Sequence, residues 1–432
     1  MKEKLFVLSM DAMVREDVEM MLTRPNFRKI MEKRAEVTGV RSVYPASTYP
    51  AHTTLMTGCD PKGHGIYSNF PLQPYNDGIA HWPTESKRVF AEDLFSVAKK
   101  AGCTTAAVYW PITANNPNID HVINEYFFYY PGEGERVEEI FASQGSDEVA
   151  LQAVRENLHL FPRATKGTSP SETLFDNFLM GCTCSLIRNA APDVLLVHNC
   201  CLDSLRHQVG VFSEQLPAAL DQMDAWLGDV IAAMEDAGVY EDTNFVILSD
   251  HGQRDCTRTV KLNLLLEQEG LLQLAPNDTV YTWLAYSQSN GMSSTVYVSD
   301  NTNEKLYDLV YAGLKKLQAE GKYGIERIWT KAELAECYNQ SGPFSFMVEA
   351  EEGVRFINDL VGEISLSTDV KGAHGYMPEK GPQPIFMGHG PAFREGVTLP
   401  TAHLTDVAPT LAAILGTTLP EAHGHPLTDL LK

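Results

Sequence analysis

"NFVILSDHG", residues 244 to 252, runs through four consecutive apolar residues and then stops at Ser, Asp, His and Gly. A strand with one solvated face alternates apolar and polar residues, whereas a strand covered on both faces can be apolar throughout. "KLFVLSMD" (4 to 11) and "DVLLVHN" (193 to 199) follow the same grammar, and "TAAVYWP" (105 to 111) and "QPIFMGHGPAF" (383 to 393) read as further strands. "LPAALDQMDAWLGDVIAAMEDAG" (216 to 238) carries helical periodicity. "TDVAPTLAAILG" (405 to 416) reads as a helix with Thr405 as its cap, an early proline and a glycine stop. Buried strands alternating with crossover helices predict an α/β fold: a doubly wound, mostly parallel sheet flanked by helices.

These pieces define an expected core of residues 1–115, 181–255 and 366–432. Two stretches differ in texture. Residues 116–180 carry "YFFYYPGEGERVEE" and "PRATKGTSPSE", and residues 256–365 run from "RTVKLNLLLEQEGLL" through "NGMSSTVYVSD" to a lysine-rich helical pattern at 304–319. Both are expected to be insertions that cap the sheet. No internal repeat or low-complexity tract interrupts the chain.

The 432 residues suit one large domain with insertions, or two domains. A formal net charge of −22 argues against a nucleic-acid polymer as partner, since those are bound by neutralising phosphates with Lys and Arg. No stretch approaches the roughly 18 apolar residues of a membrane span, and "LFVLSM" is cut off by Asp11 before it could form a signal-peptide core. The eight cysteines are scattered, without CxxC pairs, so reduced thiols and a cytoplasmic location are expected. Whether the chain forms a homo-oligomer is left open.

In open α/β sheets ligands bind at the carboxyl ends of the strands. Asp11 ends the first strand. Asp203 and His207 follow the "DVLLVHN" strand four residues apart, so on a helix they share a face. Asp250 and His251 end the "FVILSD" strand, and His374 stands in "KGAHGYMP" ahead of the last strand. Singly, each has a bland reading as a cap, a surface pair or a turn. Three Asp and three His gathered at the ligand end of one sheet are instead the donors that borderline divalent ions such as zinc prefer, in about the number two ions need.

One further stretch, "YPASTYPAHTTLMTG" (44 to 58), has two prolines and a Ser/Thr cluster before a helical run. Such residues punctuate loops everywhere. They also suit a hydroxyl held at a helix N-terminus, where backbone N–H groups favour an anion.

"SMDAM", "STYPAHTTLMTGCDPKGHGIYSN", "DSLRHQVG", "SDHG" and "GAHGYMPEKGPQPIFMGHGPAF" together resemble the alkaline phosphatase superfamily, in its nucleotide pyrophosphatase/phosphodiesterase branch. The resemblance covers the core elements and not the two insertions. It implies a nucleophilic threonine at Thr48. It further implies one metal bound by Asp11, Thr48, Asp250 and His251, and a second bound by Asp203, His207 and His374. Asn69 matches the asparagine that donates to a phosphoryl oxygen. Tyr49 matches a residue that stacks on a nucleobase, and Trp110 belongs to a "WP" pair near the same site. The pattern departs at Ile112, where the family has a glycine.

The implied chemistry is hydrolysis of a phosphodiester or pyrophosphate in a small, nucleotide-like substrate through a phosphothreonine, at two divalent ions, most readily zinc. A threonine hydroxyl is a poor nucleophile at neutral pH and needs a base or a metal. Phosphonoacetate hydrolase or phosphomonoesterase activity is the alternative within the superfamily. "WPITANNPN" (110 to 118) has no Lys or Arg to meet a doubly charged phosphoryl group, which favours the diester. A non-catalytic, metal- or ligand-binding relative is a third reading, with no need to keep Thr48.

Overall fold

The main sheet holds the eight strands β1 Lys4–Met10, β2 Ala35–Val37, β3 Thr105–Val108, β4 His121–Ile123, β5 Val194–Asn199, β6 Thr243–Leu248, β7 Phe386–His389 and β8 Thr398–Leu399. They lie in the order β8-β2-β7-β6-β1-β5-β3-β4 in the computed structural model, which describes residues 3–76, 80–128, 130, 132–162 and 172–432. The apolar runs are continuous because both faces are covered. Along β1, Phe6, Leu8 and Met10 enter one apolar cluster while Leu5 and Val7 enter another. β5 and β6 divide in the same way, with Leu195, Val197, Phe245 and Ile247 on the first face and Val194, Leu196, Val246 and Leu248 on the second.

On the second face lies helix α1, Thr48–Thr57, whose Leu55 and Met56 pack with Leu94, Phe95 and Leu411. The first face is covered by α2, Glu172–Ala190, and α4, Leu216–Asp236, through side chains such as Phe178, Leu186, Leu220 and Leu227. Between them runs the shorter α3, Cys201–Val209. α5, Val407–Ile414, follows a short 3-10 turn at Leu404–Asp406, so its cap residue is Asp406 and not Thr405. Thr405 is buried inside that turn.

All main-sheet pairings are parallel except those of β7, which is antiparallel to both β6 and β2. Its first residue Phe386 lies opposite Leu248, at the carboxyl end of β6. The chain therefore enters β7 from the end where the parallel strands finish, which is how the loop carrying His374 reaches them.

Residues 116–180 supply the edge strand β4, and Phe128, Phe141, Val154 and Phe178 join the apolar cluster of β1. The 256–365 stretch has its own four-stranded antiparallel sheet, in the order Ala285–Ser289, Ser293–Val298, Phe346–Ala350, Ile325–Thr330. Helix Glu304–Ala319 packs on it through Val310, Leu314 and Leu317. This cap has a separate apolar cluster, which reaches the core at Ala46, Ala373 and Tyr376.

Candidate active site

Thr48 is the first residue of α1, with extended Ser47 as the N-cap. Pro50 falls in the first helical turn, where a missing N–H costs nothing. Every residue of α1 is buried, and Gly58 ends it at φ 71, a left-handed conformation that favours glycine. The helix thus has a fixed axis and presents the Thr48 hydroxyl at its positive end.

The structure brings all seven expected ligands together at the carboxyl ends of β1, β5 and β6. Asp11, Asp250 and His251 form one cluster and Asp203, His207 and His374 another, with the donor atoms of each within 4.8 Å of one another. The Thr48 hydroxyl lies 3.2 Å from His251 Nε2. The His251 and His374 rings stack at 4.1 Å between centroids, so the two clusters are contiguous.

Backbone carbonyls fix the two imidazoles that matter most. A carbonyl can only accept, so His207 Nδ1–H donates to Gly372 O at 2.7 Å and His251 Nδ1–H to Gly252 O at 3.2 Å. With Nδ1 so engaged, each ring turns its Nε2 inward. That of His207 faces Asp203 Oδ2 at 3.2 Å, and that of His251 faces Asp250 Oδ2 at 3.1 Å. A proton or a metal ion held between each nitrogen and its carboxylate makes such a contact favourable. His374 Nδ1 is in addition buried without a hydrogen-bond partner. Imidazole and carboxylate donors so arranged fit a borderline divalent ion.

The electrostatics agree. Burial works to raise the Asp203 and Asp250 carboxyls, but His207 beside the first and His251 and His52 beside the second hold both well below the usual carboxylate range. Burial pushes His251 down, and pushes His374 down to about 3, with His251 adding to the effect. Carboxylates kept charged beside imidazoles kept neutral are the protonation states a metal requires.

A supporting layer surrounds the ligands. His52 Nδ1–H donates to Thr48 O at 2.9 Å and lies 3.4 Å from Asp250 Oδ2, while its Nε2 meets Ser9 Oγ at 2.9 Å. Ala12 N–H donates to Asp250 Oδ1 at 3.2 Å. Two supports were not foreseen. Gln253, next after the "SDHG" run, donates from Nε2 to the Asp203 carboxylate and to its backbone carbonyl. His198, the one titratable side chain within the strand Val194–Asn199, places Nε2 3.0 Å from Asp11 Oδ2. Its signal was a histidine in an apolar run, opposite Ser9 in the strand register. Arg206, also buried, ties α3 to the first loop through both oxygens of Asp17 and through Ala12 O.

Asn69 Oδ1 accepts from Tyr49 N–H at 2.9 Å, which leaves its NH2 as the donor end. The two aromatic expectations fare differently. Tyr49 is buried with Ile66 and Ile112, its ring 4.8 Å from that of Trp82. Trp110 is likewise buried and meets His52 of α1 edge-on at 5.0 Å. Trp82, Phe127 and Phe70 are partly exposed aromatics here, with Trp82 stacked on Phe127 at 4.8 Å and 4.3 Å from Phe70, in segments without a strong sequence signal.

Residues 5–377 match the model of the type I phosphodiesterase / nucleotide pyrophosphatase family. Bis(5'-adenosyl)-triphosphatase enpp4 of Xenopus laevis is 25% identical over 96% of this chain and 78% of its own length. Human ectonucleotide pyrophosphatase/phosphodiesterase family member 5 is 23% identical over 96% of this chain and 75% of its own. The solved structure of human ectonucleotide pyrophosphatase / phosphodiesterase 5 superposes over the whole of both chains with a TM-score of 0.68 at 21% identity. The murine protein, solved as an inactive threonine-to-alanine variant in complex with AMP, gives 0.65 at 20%. With a family match spanning most of its length, this chain belongs to the type I phosphodiesterase / nucleotide pyrophosphatase family, hydrolases of phosphodiester and pyrophosphate bonds.

Proposed function

We propose that the chain cleaves small nucleotide-like phosphodiesters or pyrophosphates through a phosphorylated Thr48, at a site where Asp11, Thr48, Asp250 and His251 hold one divalent ion and Asp203, His207 and His374 a second, both zinc. The observation that carries this reading is the Thr48 hydroxyl at a helix N-terminus, 3.2 Å from His251 Nε2 and beside two contiguous ligand clusters. The names of relatives support it: one is called a bis(5'-adenosyl)-triphosphatase, and another was solved as an inactive threonine-to-alanine variant in complex with AMP.

The chain's own groups have defined tasks. Thr48 Oγ1 attacks phosphorus, forming a Thr48–O–P bond as the P–O bond to the leaving group breaks. Water then cleaves the Thr48 ester and frees the hydroxyl. When bound, the two ions stabilise the alkoxide, acidify water and neutralise phosphoryl oxygens, letting a chain of net charge −22 accept an anion. Asn69 donates its NH2 to a non-bridging oxygen, held in that sense by Tyr49 N–H. The start of α1 adds its positive dipole end. All eight cysteines are free and seven are buried, in keeping with the reducing, cytoplasmic setting that forms part of this proposal. No helix among the described residues is long and apolar enough to cross a membrane.

The test is turnover of aryl diesters, dinucleotides, monoesters and phosphonates, before and after exhaustive chelation, with elemental analysis of the gently purified protein. About two zinc ions and chelation-sensitive diester cleavage are expected. Turnover that survives chelation overturns the metal assignment, and a preference for monoesters or phosphonates overturns the substrate class.

A further inference from the structure

One buried carboxylate of the cap bonds to both loops of the site. Glu349 lies on the cap strand Phe346–Ala350 and is wholly buried. Its Oε2 accepts from the Tyr44 hydroxyl at 2.9 Å, four residues before the nucleophile. Its Oε1 accepts from Met377 N–H at 3.1 Å, three residues after His374, and lies 3.2 Å from Lys380 Nζ. One side chain of the cap therefore grips both the loop that delivers Thr48 and the loop that delivers His374.

Backbone bonds run in parallel. Gly375 N–H donates to Ala46 O at 2.7 Å, joining the two loops. From the cap, Met292 N–H donates to His374 O at 2.8 Å, and Ser293 Oγ donates to Gly375 O at 2.6 Å. Each of these fixes only one loop to the cap. Glu349 is the group that reaches both.

We infer that Glu349 is a positioning residue for the phosphoryl-transfer reaction, acting through Tyr44 on Thr48 and through Met377 on His374. This rests on the function proposed above. Burying a carboxylate without compensation costs far more than burying an apolar side chain, so its presence here calls for partners that make use of it. Burial pushes the Glu349 carboxyl up to about 7, against Lys380, the Met377 N–H and the Tyr44 hydroxyl, which draw it down. Tyr338 packs on Tyr44 from the cap side at 4.9 Å, and Lys380 is shared with Glu326. What the geometry supplies is one side chain with a polar atom facing each loop, Oε2 toward Tyr44 and Oε1 toward Met377.

Three variants separate positioning from mere stability. Glu349→Ala removes both arms, and Tyr44→Phe removes one hydroxyl and keeps the ring. Glu349→Gln can keep both arms, with its carbonyl toward Met377 N–H and its NH2 toward the Tyr44 oxygen. The readouts are kcat and KM on a good aryl diester, zinc content, and amide hydrogen exchange in peptides covering residues 44–50 and 372–380. Glu349→Ala is expected to lose about ten- to a hundredfold in kcat, the cost of small misplacement of reacting groups, with KM changed far less and exchange faster in both peptides. Tyr44→Phe should show a smaller loss with faster exchange in the first peptide only. It serves alone if Glu349→Ala does not fold. Glu349→Gln should recover most of the rate. If wild-type protein cleaves no phosphodiester, the functional reading falls and takes this inference with it. If wild type is active and the Ala and Phe variants match its kcat, the inference alone falls, even where exchange has risen, because the carboxylate then only stiffens the cap.

Discussion

The two ligand clusters are built from similar side chains in different surroundings. The side chains of Asp11, Asp250 and His251 are at most 3% exposed, and they are braced by His52, His198 and the Ala12 N–H. His207, by contrast, is 32% exposed, with Asp203 and His374 at 12 and 13%. Its cluster is braced by Gln253 and the Gly372 carbonyl. The deep cluster sits where the sheet itself ends, between helices. The rim cluster is assembled from α3 and a loop that enters an antiparallel strand. Chemistry that needs a fixed nucleophile belongs with the first, and an ion that must meet solvent and a variable leaving group can sit at the second.

The largest effect should come from the deep side. Thr48→Ala is expected to lower kcat by about three decades or more, roughly 4 kcal/mol, while Thr48→Ser keeps part of the rate because the oxygen remains. A phosphate on the peptide containing Thr48 should be recovered by rapid acid quench and mass spectrometry. A role limited to helix capping predicts only about 1 kcal/mol of stability and no rate loss. The cap position is already taken by Ser47. A folded Thr48→Ala protein with near-normal diesterase rates would decide against the nucleophile.

Asn69 stands beside Thr48 and holds no metal in this scheme. Asn69→Ala should cost about 2 to 4 kcal/mol of transition-state stabilisation, the scale of a lost oxyanion donor, with both metals retained. Unaltered kcat/KM on a good diester rejects the role. Loss of an ion would instead show that Asn69 supports the deep cluster.

The rim cluster is tested through its brace. Gln253→Ala frees the Asp203 carboxylate from its amide donor and should weaken one zinc site about 10- to 100-fold, as losses of ligand-orienting partners generally do. The other ion should stay. Competition with a chelator of known affinity reads this directly. Equal weakening of both sites would erase the distinction between deep and rim.

How much of this the sequence reveals depends on distance along the chain. Runs such as "NFVILSDHG" are legible because burial on both faces is written into consecutive residues, and Asp11, Asp250 and His251 are legible because they end such runs. The direction of β7 is not, since four residues carry no sign of which way the strand points. Nor is the role of His198, which arises from strand register, or that of Glu349, whose partner Tyr44 is 305 residues away. Tyr49 and Trp110 show the other limit. The family resemblance marked them as aromatic surfaces near the site, while their packing beside Trp82 and against His52 is set by the tertiary structure.

Burial also gives the deep side an acid cost, and His64 isolates it because it binds no metal in this scheme. It lies in the short helix Pro61–His64 and is wholly buried against α1. A backbone N–H can only donate, so His64 Nδ1 accepts from Ile66 N–H at 3.1 Å and Nε2–H donates to Thr54 Oγ1 at 3.0 Å. Protonating Nδ1 would break the first bond, and burial, helped by His423 nearby, pushes the imidazole down to about 3. In the unfolded chain the same ring titrates near its ordinary 6.5. Between these values the unfolded state binds a proton that the folded state refuses, so stability falls as pH falls through that window, by about 1.4 kcal/mol per pH unit. Above 6.5 both states are neutral and the contribution is constant. His64→Asn keeps an acceptor for Ile66 N–H but cannot titrate. It should melt lower than wild type at pH 8, yet lose about 1 kcal/mol less between pH 6.5 and 5.5. Thermal unfolding across that range, on metal-loaded protein, is the measurement. Parallel pH slopes for the two proteins would mean that the layer behind the nucleophile helix does not carry the acid sensitivity of the deep half.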